Sequence, residues 1–241
     1  MPAARWTGAL VVALAAACFL AAPALADSCG NPGYSYAGVV SAKRTAGVRA
    51  MITAPVAPQV ESGDVSGWIG VGRVGVSGKR GVLRVGLLAQ ANSTMQLYYE
   101  VRRNGSWVRH LGPQVQPGER HFVKVARAWR KSKRWRVLID GNRVGHSMRL
   151  GNGWKWLRAA ATAESWDGGA ASCNQFRYAF GKVKVKNSRG WRGVQDRRLI
   201  QDPGYKVLKQ HRSRFLATNV PRLTADGRVF AGDWETADAS Q

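Results

Sequence analysis

The sequence predicts an all-β protein in which two antiparallel sheets pack into a sandwich. Three observations lead to this fold class. Short segments in which apolar and polar residues alternate follow one another between residues 34 and 186. Glycine-containing turn signals separate these segments, and sustained helical periodicity is absent from the same region. Antiparallel strands that bury one face produce such a pattern.

The alternation defines the strands, and three short sequences define turns between them. Asp140-Gly141-Asn142, Asn104-Gly105 and Gln116-Pro117-Gly118 are turn sequences, because Gly and Asn tolerate the positive φ of tight hairpins. The strands are predicted at residues 34–41, 47–53, 67–71, 82–90, 94–102, 119–126, 134–140, 143–148, 157–166 and 176–186.

The clearest pair of strands, 82–90 and 94–102, is joined by a polar turn at 91–93. One face of the pair is apolar and is expected to join the core; it carries Leu83, Val85, Leu87, Met95, Leu97, Tyr99 and Val101. The other face carries Arg84, Gly86, Leu88, Gln96, Tyr98 and Glu100. This second face is either a solvated surface or a binding surface.

The first 26 residues are predicted to be a signal peptide. Arg5 provides the positive n-region, residues 9–20 form the apolar region, and Ala24-Leu25-Ala26 is a cleavage site with small residues. The apolar run is too short to favour a membrane span. A lipid anchor at Cys18 and an uncleaved membrane anchor are the alternatives. We expect a secreted bacterial protein, extracellular or associated with the cell wall, without a transmembrane segment after cleavage.

Cys29 and Cys173 are the two cysteines that remain after removal of residues 1–26. In an exported protein, two cysteines predict a single disulfide; two separate thiols are the alternative. The chain has no C-x-x-C pair, and its four histidines are scattered. The sequence therefore indicates neither a metal site nor a cofactor.

The mature chain is divided into a β-sandwich domain, residues 27–187, and a basic, partly irregular C-terminal extension, residues 188–241. Apolar residues are sparse in the extension. Within it, residues 205–208 are predicted to form an edge strand and residues 208–217 a short helix. The acidic stretch 231–241, which is rich in small residues, is predicted to be disordered.

The chain carries a large excess of positive charge. It has 37 Lys and Arg against 14 Asp and Glu, and the signal peptide accounts for Arg5 alone, so the mature chain has 36 basic against 14 acidic residues, a net charge of +22. A positive potential over most of the surface attracts anionic polymers. No nucleic-acid-binding motif is present, so binding of nucleic acid is expected to be non-specific.

The densest basic run lies between Arg120 and Arg136 and contains no acidic residue. Its centre, residues 129–135, is predicted to be an exposed loop. The predicted polyanion-binding residues are Arg127, Arg130, Lys131, Lys133 and Arg134. A second basic group, Lys182, Lys184 and Lys186, alternates with valines and is predicted to share one face of a strand. An ordinary solvated surface is the alternative for both groups.

Among the tryptophans, Trp135 alternates with Val137 and Ile139 and is predicted to lie in the core. Trp154 and Trp156 either pack in the core or form a platform on which sugar rings stack.

Four short motifs resemble the glutamic peptidases, the eqolisin family. They are Trp68-Ile69-Gly70, Leu83-Arg84-Val85-Gly86, Tyr98-Tyr99-Glu100 and Ala163-Glu164-Ser165-Trp166. They match, in order, the family patterns W-[IV]-G, L-Q-x-G, W-Y-E-W and A-E-W-I-V-E. The resemblance spans residues 34–185 and implies a concanavalin A-like, jelly-roll type of sandwich. It also implies a concave binding face, for which the candidates are Trp68, Arg84, Tyr98, Glu100, Glu164 and Trp166.

The resemblance implies that the catalytic pair of the family is lost. The family uses the Gln of L-Q-x-G and the last Glu of A-E-W-I-V-E; these positions hold Arg84 and Gly168 here. Glycine cannot activate a water molecule, and an amide no longer holds the oxyanion. The sequence thus predicts a non-catalytic, monomeric module that binds an anionic or glycan polymer of the cell envelope. The alternative is a glutamic-type hydrolase that uses Glu164 or Glu100, with Gln96 or Arg84 as the oxyanion partner.

Overall fold

A computed structural model of the chain describes residues 29, 33–56, 58–72, 81–91, 94–103, 105–129, 132–150, 157–166, 173–194, 197–211 and 213–219. Within these ranges the ordered elements are all strands, and no helix is long and apolar enough to cross a membrane. The seventeen strands are β1 (Tyr34–Arg44), β2 (Gly47–Thr53), β3 (Gln59–Val60), β4 (Asp64–Gly72), β5 (Val82–Gln90), β6 (Gln96–Arg103), β7 (Ser106–Gln114), β8 (Arg120–Arg127), β9 (Arg134–Ile139), β10 (Asn142–Arg149), β11 (Arg158–Trp166), β12 (Asn174–Gln175), β13 (Arg177–Asn187), β14 (Gly190–Gly193), β15 (Arg197–Gln201), β16 (Lys206–His211) and β17 (Arg214–Thr218).

The strands form two large antiparallel sheets, which confirms the predicted concanavalin A-like sandwich. The seven-stranded sheet has the order β15-β1-β11-β4-β5-β6-β7. The eight-stranded sheet has the order β10-β9-β8-β2-β13-β17-β16, with β14 paired to β13 beside this path. A small sheet of β3 and β12 lies apart from both.

The core lies between the two large sheets and is formed by the inward side chains of both. Fully buried members include Leu83 and Val85 of the seven-stranded sheet, and Val123, Trp135 and Phe180 of the eight-stranded sheet. Trp135 has no exposed surface, so its predicted place in the core is confirmed. The apolar face predicted for β5 and β6 is the face that joins this core.

Each strand predicted between residues 34 and 186 is present, and two of them, 47–53 and 82–90, have the predicted bounds. The turns predicted at residues 116–118 and 140–142 also form, while Asn104 of the third predicted turn lies outside the described residues. Asp140 and Gly141 adopt φ of 48° and 83°, so this hairpin has positive φ at both central positions, and Gly118 has φ of 79°. Arg103 lies opposite Ser106 across β6 and β7, and Gly105 has φ of 92°. Sequence alternation did not reveal β7.

Residues 190–218, within the predicted extension, add strands to both large sheets. β15 pairs with β1 at the edge of the seven-stranded sheet, while β16 and β17 complete one side of the eight-stranded sheet. The edge strand predicted at 205–208 is confirmed as part of β16. The helix predicted over 208–217 is wrong: this segment forms β16 and β17, and Phe215 and Ala217 are buried. The open edge of β13 supplies backbone partners that a helix cannot use. Residues 231–241 lie outside the described ranges.

Cys29 and Cys173 form a disulfide with a Cα–Cα distance of 5.6 Å and a sequence separation of 144 residues, which confirms the predicted pairing. The bridge ties the segment before β1 to the start of β12. The predicted signal peptide, residues 1–26, lies outside the described ranges.

Replacing Cys29 and Cys173 together by Ser is expected to lower the free energy of unfolding by about 2–5 kcal/mol, because the bridge closes a long loop in the unfolded chain. Urea unfolding of the parent and the double variant, both without the first 26 residues, measures this loss. Intact-mass analysis of the unfolded, unreduced parent provides the control. Two freely alkylating thiols in that sample would show that the bridge does not form.

Candidate functional site

The strands at the centre of the seven-stranded sheet have a second face, turned away from the core between the sheets. Trp68, Leu88, Tyr98 and Ala160 form a separate hydrophobic cluster on this outer face, with contributions from β4, β5, β6 and β11. Because side chains alternate along a strand, Arg84, Glu100 and Glu164 point to the same outer face. We call this region the outer site face. Although it faces outward, its central side chains are almost fully buried.

Arg84 is the centre of the outer site face. Its guanidinium donates from Nη1 to both carboxylate oxygens of Glu164, at 2.6 and 2.8 Å. Its Nε donates to Oε1 of Glu100 at 2.8 Å, and Nη2 lies 2.6 Å from the same oxygen. The three side chains are 0–3% exposed. Arg84 thus binds two buried carboxylates in charge-assisted contacts, one of them through both of its oxygens.

A second arginine extends this arrangement. Arg109 of β7 donates from Nε to Oε2 of Glu100 and from Nη1 to Oδ2 of Asp64, each at 2.8 Å. We call the five side chains Asp64, Arg84, Glu100, Arg109 and Glu164 the Arg84 network. Three carboxylates and two guanidinium groups leave one negative charge in excess when all five are ionised.

Aromatic rings surround the guanidinium of Arg84 and separate it from water. Its Cζ lies 4.8 Å from the ring centre of Trp107, 5.2 Å from that of Trp68 and 5.6 Å from that of Tyr34. Trp107 belongs to β7 and is 38% exposed, so it covers the site from the sheet edge. Contacts between a cation and aromatic faces add to the ionic contacts when the cation is desolvated.

Burial and the neighbouring charges shift the pKa values within the Arg84 network. Burial raises the pKa of Glu164, and the attraction of Arg84 offsets part of that effect. Burial likewise raises the pKa of Asp64, against the opposing effect of Arg109. For Arg84, burial lowers the pKa, but Glu164 and its other neighbours outweigh burial and hold the pKa above its ordinary value. Arg84 therefore stays charged, and a proton taken up by the network goes to a carboxylate.

The structure brings most of the residues predicted for the concave face together. Trp68, Arg84, Tyr98, Glu100 and Glu164 all lie on the outer site face. Trp166 lies at its margin, where its ring centre is 4.4 Å from that of Tyr34, which it pairs with across β1 and β11. Gln96 lies on β6 opposite Leu88 and takes no part in the ion pairs of the Arg84 network. Gly168 lies outside the described residues.

Sequence reasoning missed Asp64, Arg109 and the aromatic contacts of Tyr34 and Trp107. A signal for Arg109 was present, because a two-residue hairpin at 104–105 places Arg109 opposite Glu100. Asp64 was missed because the predicted strand began at residue 67, while β4 begins at Asp64.

The geometry constrains what the outer site face can do chemically. A general base needs a carboxylate oxygen free to accept a proton from water. Both oxygens of Glu164 accept from Arg84, and Oε1 also accepts from the Ser66 hydroxyl at 3.2 Å. An oxyanion donor must be directed at the reacting carbonyl, whereas the guanidinium of Arg84 is directed at two carboxylates. The carboxylates and guanidinium groups of the Arg84 network are therefore engaged with one another.

Three of the five predicted polyanion-binding residues are described, and these three lie where β8 ends and β9 begins. Lys133 and Arg134 are exposed, and Trp129 in the intervening loop is 58% exposed. Arg127 ends β8, with its Cζ 5.7 Å from the ring centre of Trp135, and burial lowers its pKa. Arg130 and Lys131 lie outside the described residues, as do Trp154 and Trp156.

One group of potential metal ligands occurs among the described residues. The ligand atoms of Cys29, Glu61 and Cys173 lie within 4.8 Å of one another. Both cysteines are consumed by their disulfide, which leaves a single carboxylate. This group cannot provide the three or four ligands that a metal ion takes from protein side chains in a typical site.

The fold is a sandwich of the type found in glutamic peptidases. The chain is similar to scytalido-glutamic peptidase, solved with a peptide-based transition state analog, at 12% identity and a TM-score of 0.57 over 78% of this chain and 98% of that chain. It is also similar to SCP-B, a member of the eqolisin family of peptidases solved with a tripeptide, at 11% identity and a TM-score of 0.53 over the same shares. No protein-family model and no curated protein sequence matches the chain. At these identities the likeness shows a common fold.

Replacing Arg84 by Met is expected to lower the free energy of unfolding by about 3–5 kcal/mol at pH 7, because Glu100 and Glu164 lose their shared cation while they stay buried. Urea unfolding measures the loss. The triple variant Arg84→Met, Glu100→Gln, Glu164→Gln serves as the control, since it also removes the orphaned charges and should recover most of the stability. An equal loss in both variants would contradict an ionic role for Arg84.

Replacing Glu164 by Gln is expected to change how stability depends on pH. Because burial raises the pKa of Glu164 above the value of about 4.3 in an unfolded chain, its contribution to stability is fully present below that pH and is lost as the pH rises through the folded pKa. Unfolding in urea between pH 4 and 7 should show the parent losing stability relative to Glu164→Gln as the pH rises. Asp64→Asn should act in the same direction. A stability difference that stays constant with pH would refute the shift.

Proposed function

We propose that this protein is exported and acts as a non-catalytic binding module for anionic or glycan polymers of the bacterial cell envelope. The observation that carries the proposal is the charge surplus of the mature chain, 36 basic against 14 acidic residues. Three of those acidic residues, Asp64, Glu100 and Glu164, are buried in the Arg84 network and cannot neutralise the surface. A disulfide supports export, because such bonds persist in oxidising compartments.

The contacts of Arg84 oppose catalysis at the outer site face. Arg84 occupies the position at which the resembling family places its catalytic Gln, and it holds Glu164 through both carboxylate oxygens. Opening this contact in order to free a base would leave a desolvated charge on each side. Such a step costs several kcal/mol before any chemistry begins.

The excess of basic residues favours an anionic polymer over an uncharged glycan as the ligand. Stacking of a sugar ring needs an accessible aromatic face. On the outer site face Trp68 and Tyr98 are 3% and 1% exposed, which leaves Trp107, Trp166 and Tyr34 as partly accessible rings. The basic surface is accessible to a polymer without rearrangement.

A hydrolase of the glutamic type is the second candidate. It is favoured by the peptidase fold and by the raised pKa of Glu164, which suits a general acid. In this version Glu164 or Glu100 acts on the substrate after Arg84 moves away. The contacts of Arg84 oppose it, and an assay separates the two candidates.

Purified mature protein is expected to bind teichoic acid, heparin and DNA at low salt, with affinity that falls steeply as salt increases, because several cations displace counterions together. The polymers should be compared with an uncharged dextran in titrations at about 50 and 200 mM salt. Replacing Arg127, Arg130, Lys131, Lys133 and Arg134 by Glu should weaken binding to every polyanion. Binding that is absent at low salt, or indifferent to salt, would refute polyanion recognition.

The parent is expected to show no turnover of an unfolded protein substrate between acidic and neutral pH. Release of new amino termini measures cleavage, and Glu164→Gln provides the matched control. Turnover in the parent that is abolished in Glu164→Gln would establish the hydrolase and overturn the non-catalytic proposal.

A further inference from the structure

The outer face of the eight-stranded sheet is a second surface turned away from the core. Val48, Val123, Val125 and Val183 point inward and are buried. Their neighbours Arg49, Lys124, Arg136, Lys184 and Lys186 therefore point outward and are partly exposed. We call these five residues the cationic face. They come from four adjacent strands, β9, β8, β2 and β13.

Strand register arranges the cationic face in two rows. In the first row Lys124, Arg49 and Lys184 stand directly opposite one another on β8, β2 and β13. The second row lies two residues further along and runs from Arg136 through Ala126 and Gly47 to Lys186. Adjacent strands are about 4.8 Å apart, and two residues along a strand span about 6.7 Å.

A β-bulge sets which lysines of β13 join these rows. The register shifts between Gly181 and Lys184, and Lys182 has φ of 51° within the bulge. The sequence predicted that three lysines, Lys182, Lys184 and Lys186, share one face of a regular strand. The bulge interrupts that regular alternation. Lys184 and Lys186 lie in register with β2, so that Lys184 faces Arg49.

No carboxylate of the described residues lies within ion-pair distance of the cationic face. Like charges that stand directly opposite on neighbouring strands destabilise a sheet. In Arg136, Nε is buried and has no hydrogen-bond partner in the described part of the chain. The fold thus keeps three cations in one row at a cost to its own stability. Binding of an external anion would reduce the repulsion between them.

The aromatic residues on this face lie beside its cations. The guanidinium of Arg49 lies 4.8 Å from the ring centre of Trp191 and 5.8 Å from that of Phe122. The ammonium group of Lys186 lies 6.0 Å from Trp191. These rings are thus in contact with cations of the face itself. Recognition on this face depends on charge.

We propose that the cationic face is the main polymer-binding surface of the protein and that it takes a linear phosphodiester polymer of the teichoic acid type, poly(glycerol phosphate). This inference rests on the proposed function and adds to it the location of the site and the class of polymer. An extended glycerol phosphate unit contributes six backbone bonds, so its negative charges repeat at about 7 Å. That repeat is close to the distance between the two rows. Arg49 and Arg136 suit phosphate oxygens as bidentate donors, and the lysines add point charges.

A pair of matched triple variants tests the location of the site. The face variant combines Arg49→Gln, Lys124→Gln and Lys184→Gln. The control variant combines Arg158→Gln, Arg198→Gln and Lys206→Gln, which removes the same charge from exposed positions elsewhere. Arg158 and Arg198 belong to the seven-stranded sheet. Lys206 pairs with Thr218, which pairs with Arg177 at the end of β13 that is remote from the cationic face. Binding of poly(glycerol phosphate) to each protein is measured by calorimetric titration at several salt concentrations.

The face variant is expected to bind at least about tenfold more weakly than the parent. The slope of its log affinity against log salt concentration should be shallower, by the amount that corresponds to the loss of about two to three phosphate contacts. The control variant should stay within about twofold of the parent. If both variants lose affinity equally, or if the face variant binds as tightly as the parent, the proposed location is wrong. Either result leaves polyanion binding by the protein intact. A parent that binds no polyanion would refute the proposed function and the inference together. Poly-γ-glutamate bound as tightly as poly(glycerol phosphate) at matched charge would overturn the phosphodiester class.

Thermal unfolding supplies a readout that does not depend on a ligand. Removing the opposed charges of the first row should leave the face variant as stable as the parent or more stable at low salt, and the difference should shrink as salt screens the repulsion. A face variant that is destabilised at low salt would contradict the unpaired state of these cations.

Discussion

The burial of Arg84 between Glu100 and Glu164 is the constraint on which the outer site face depends. Three charged groups with almost no exposure can stay buried only because Arg84 pairs with both carboxylates. Removal of one group would leave an unpaired charge in a medium that solvates it poorly. The network therefore fixes the register of β4, β5, β6, β7 and β11, since a shift by one residue would turn its members to the core. Gly86 contributes to the same arrangement, because a Cβ there would lie 2.0 Å from the carbonyl oxygen of Gly67.

The charges of this protein fall into two groups with opposite physical situations. Inside the outer site face, two arginines meet three carboxylates at distances of 2.6–2.8 Å. On the cationic face, basic residues stand opposite one another on neighbouring strands. Coulomb energies between exposed groups are small and are screened by salt, whereas the same energies between buried groups are large. The fold can thus tolerate unpaired cations at its surface but not a single unpaired carboxylate beneath Trp107.

Sequence alternation predicted the fold and part of the outer site face for one reason. In a strand with one buried face, apolar residues recur at every second position, so the sequence shows which residues share a face. Arg84, Tyr98 and Glu100 were assigned to one face in this way, and the structure brings them together. β7 was missed because its side chains are exposed on both faces, so its sequence carries no alternation. Its residue Arg109 was missed with it. The helix predicted over residues 208–217 was wrong because pairing with β13 determines the conformation of that segment. The local sequence carries no information on whether the edge of a distant strand is open.

The two faces also differ in what a ligand would have to do. On the outer site face, a polymer must compete with carboxylates that already hold both arginines, and it must move Trp107 to reach them. On the cationic face, an anion relieves repulsion that the folded protein already bears, so binding and stabilisation have the same sign. A surface whose cations lack partners gains more from an anionic partner than one whose cations are already paired with carboxylates. This difference, more than the number of basic residues, favours the cationic face over the outer site face as the proposed site for an anionic polymer.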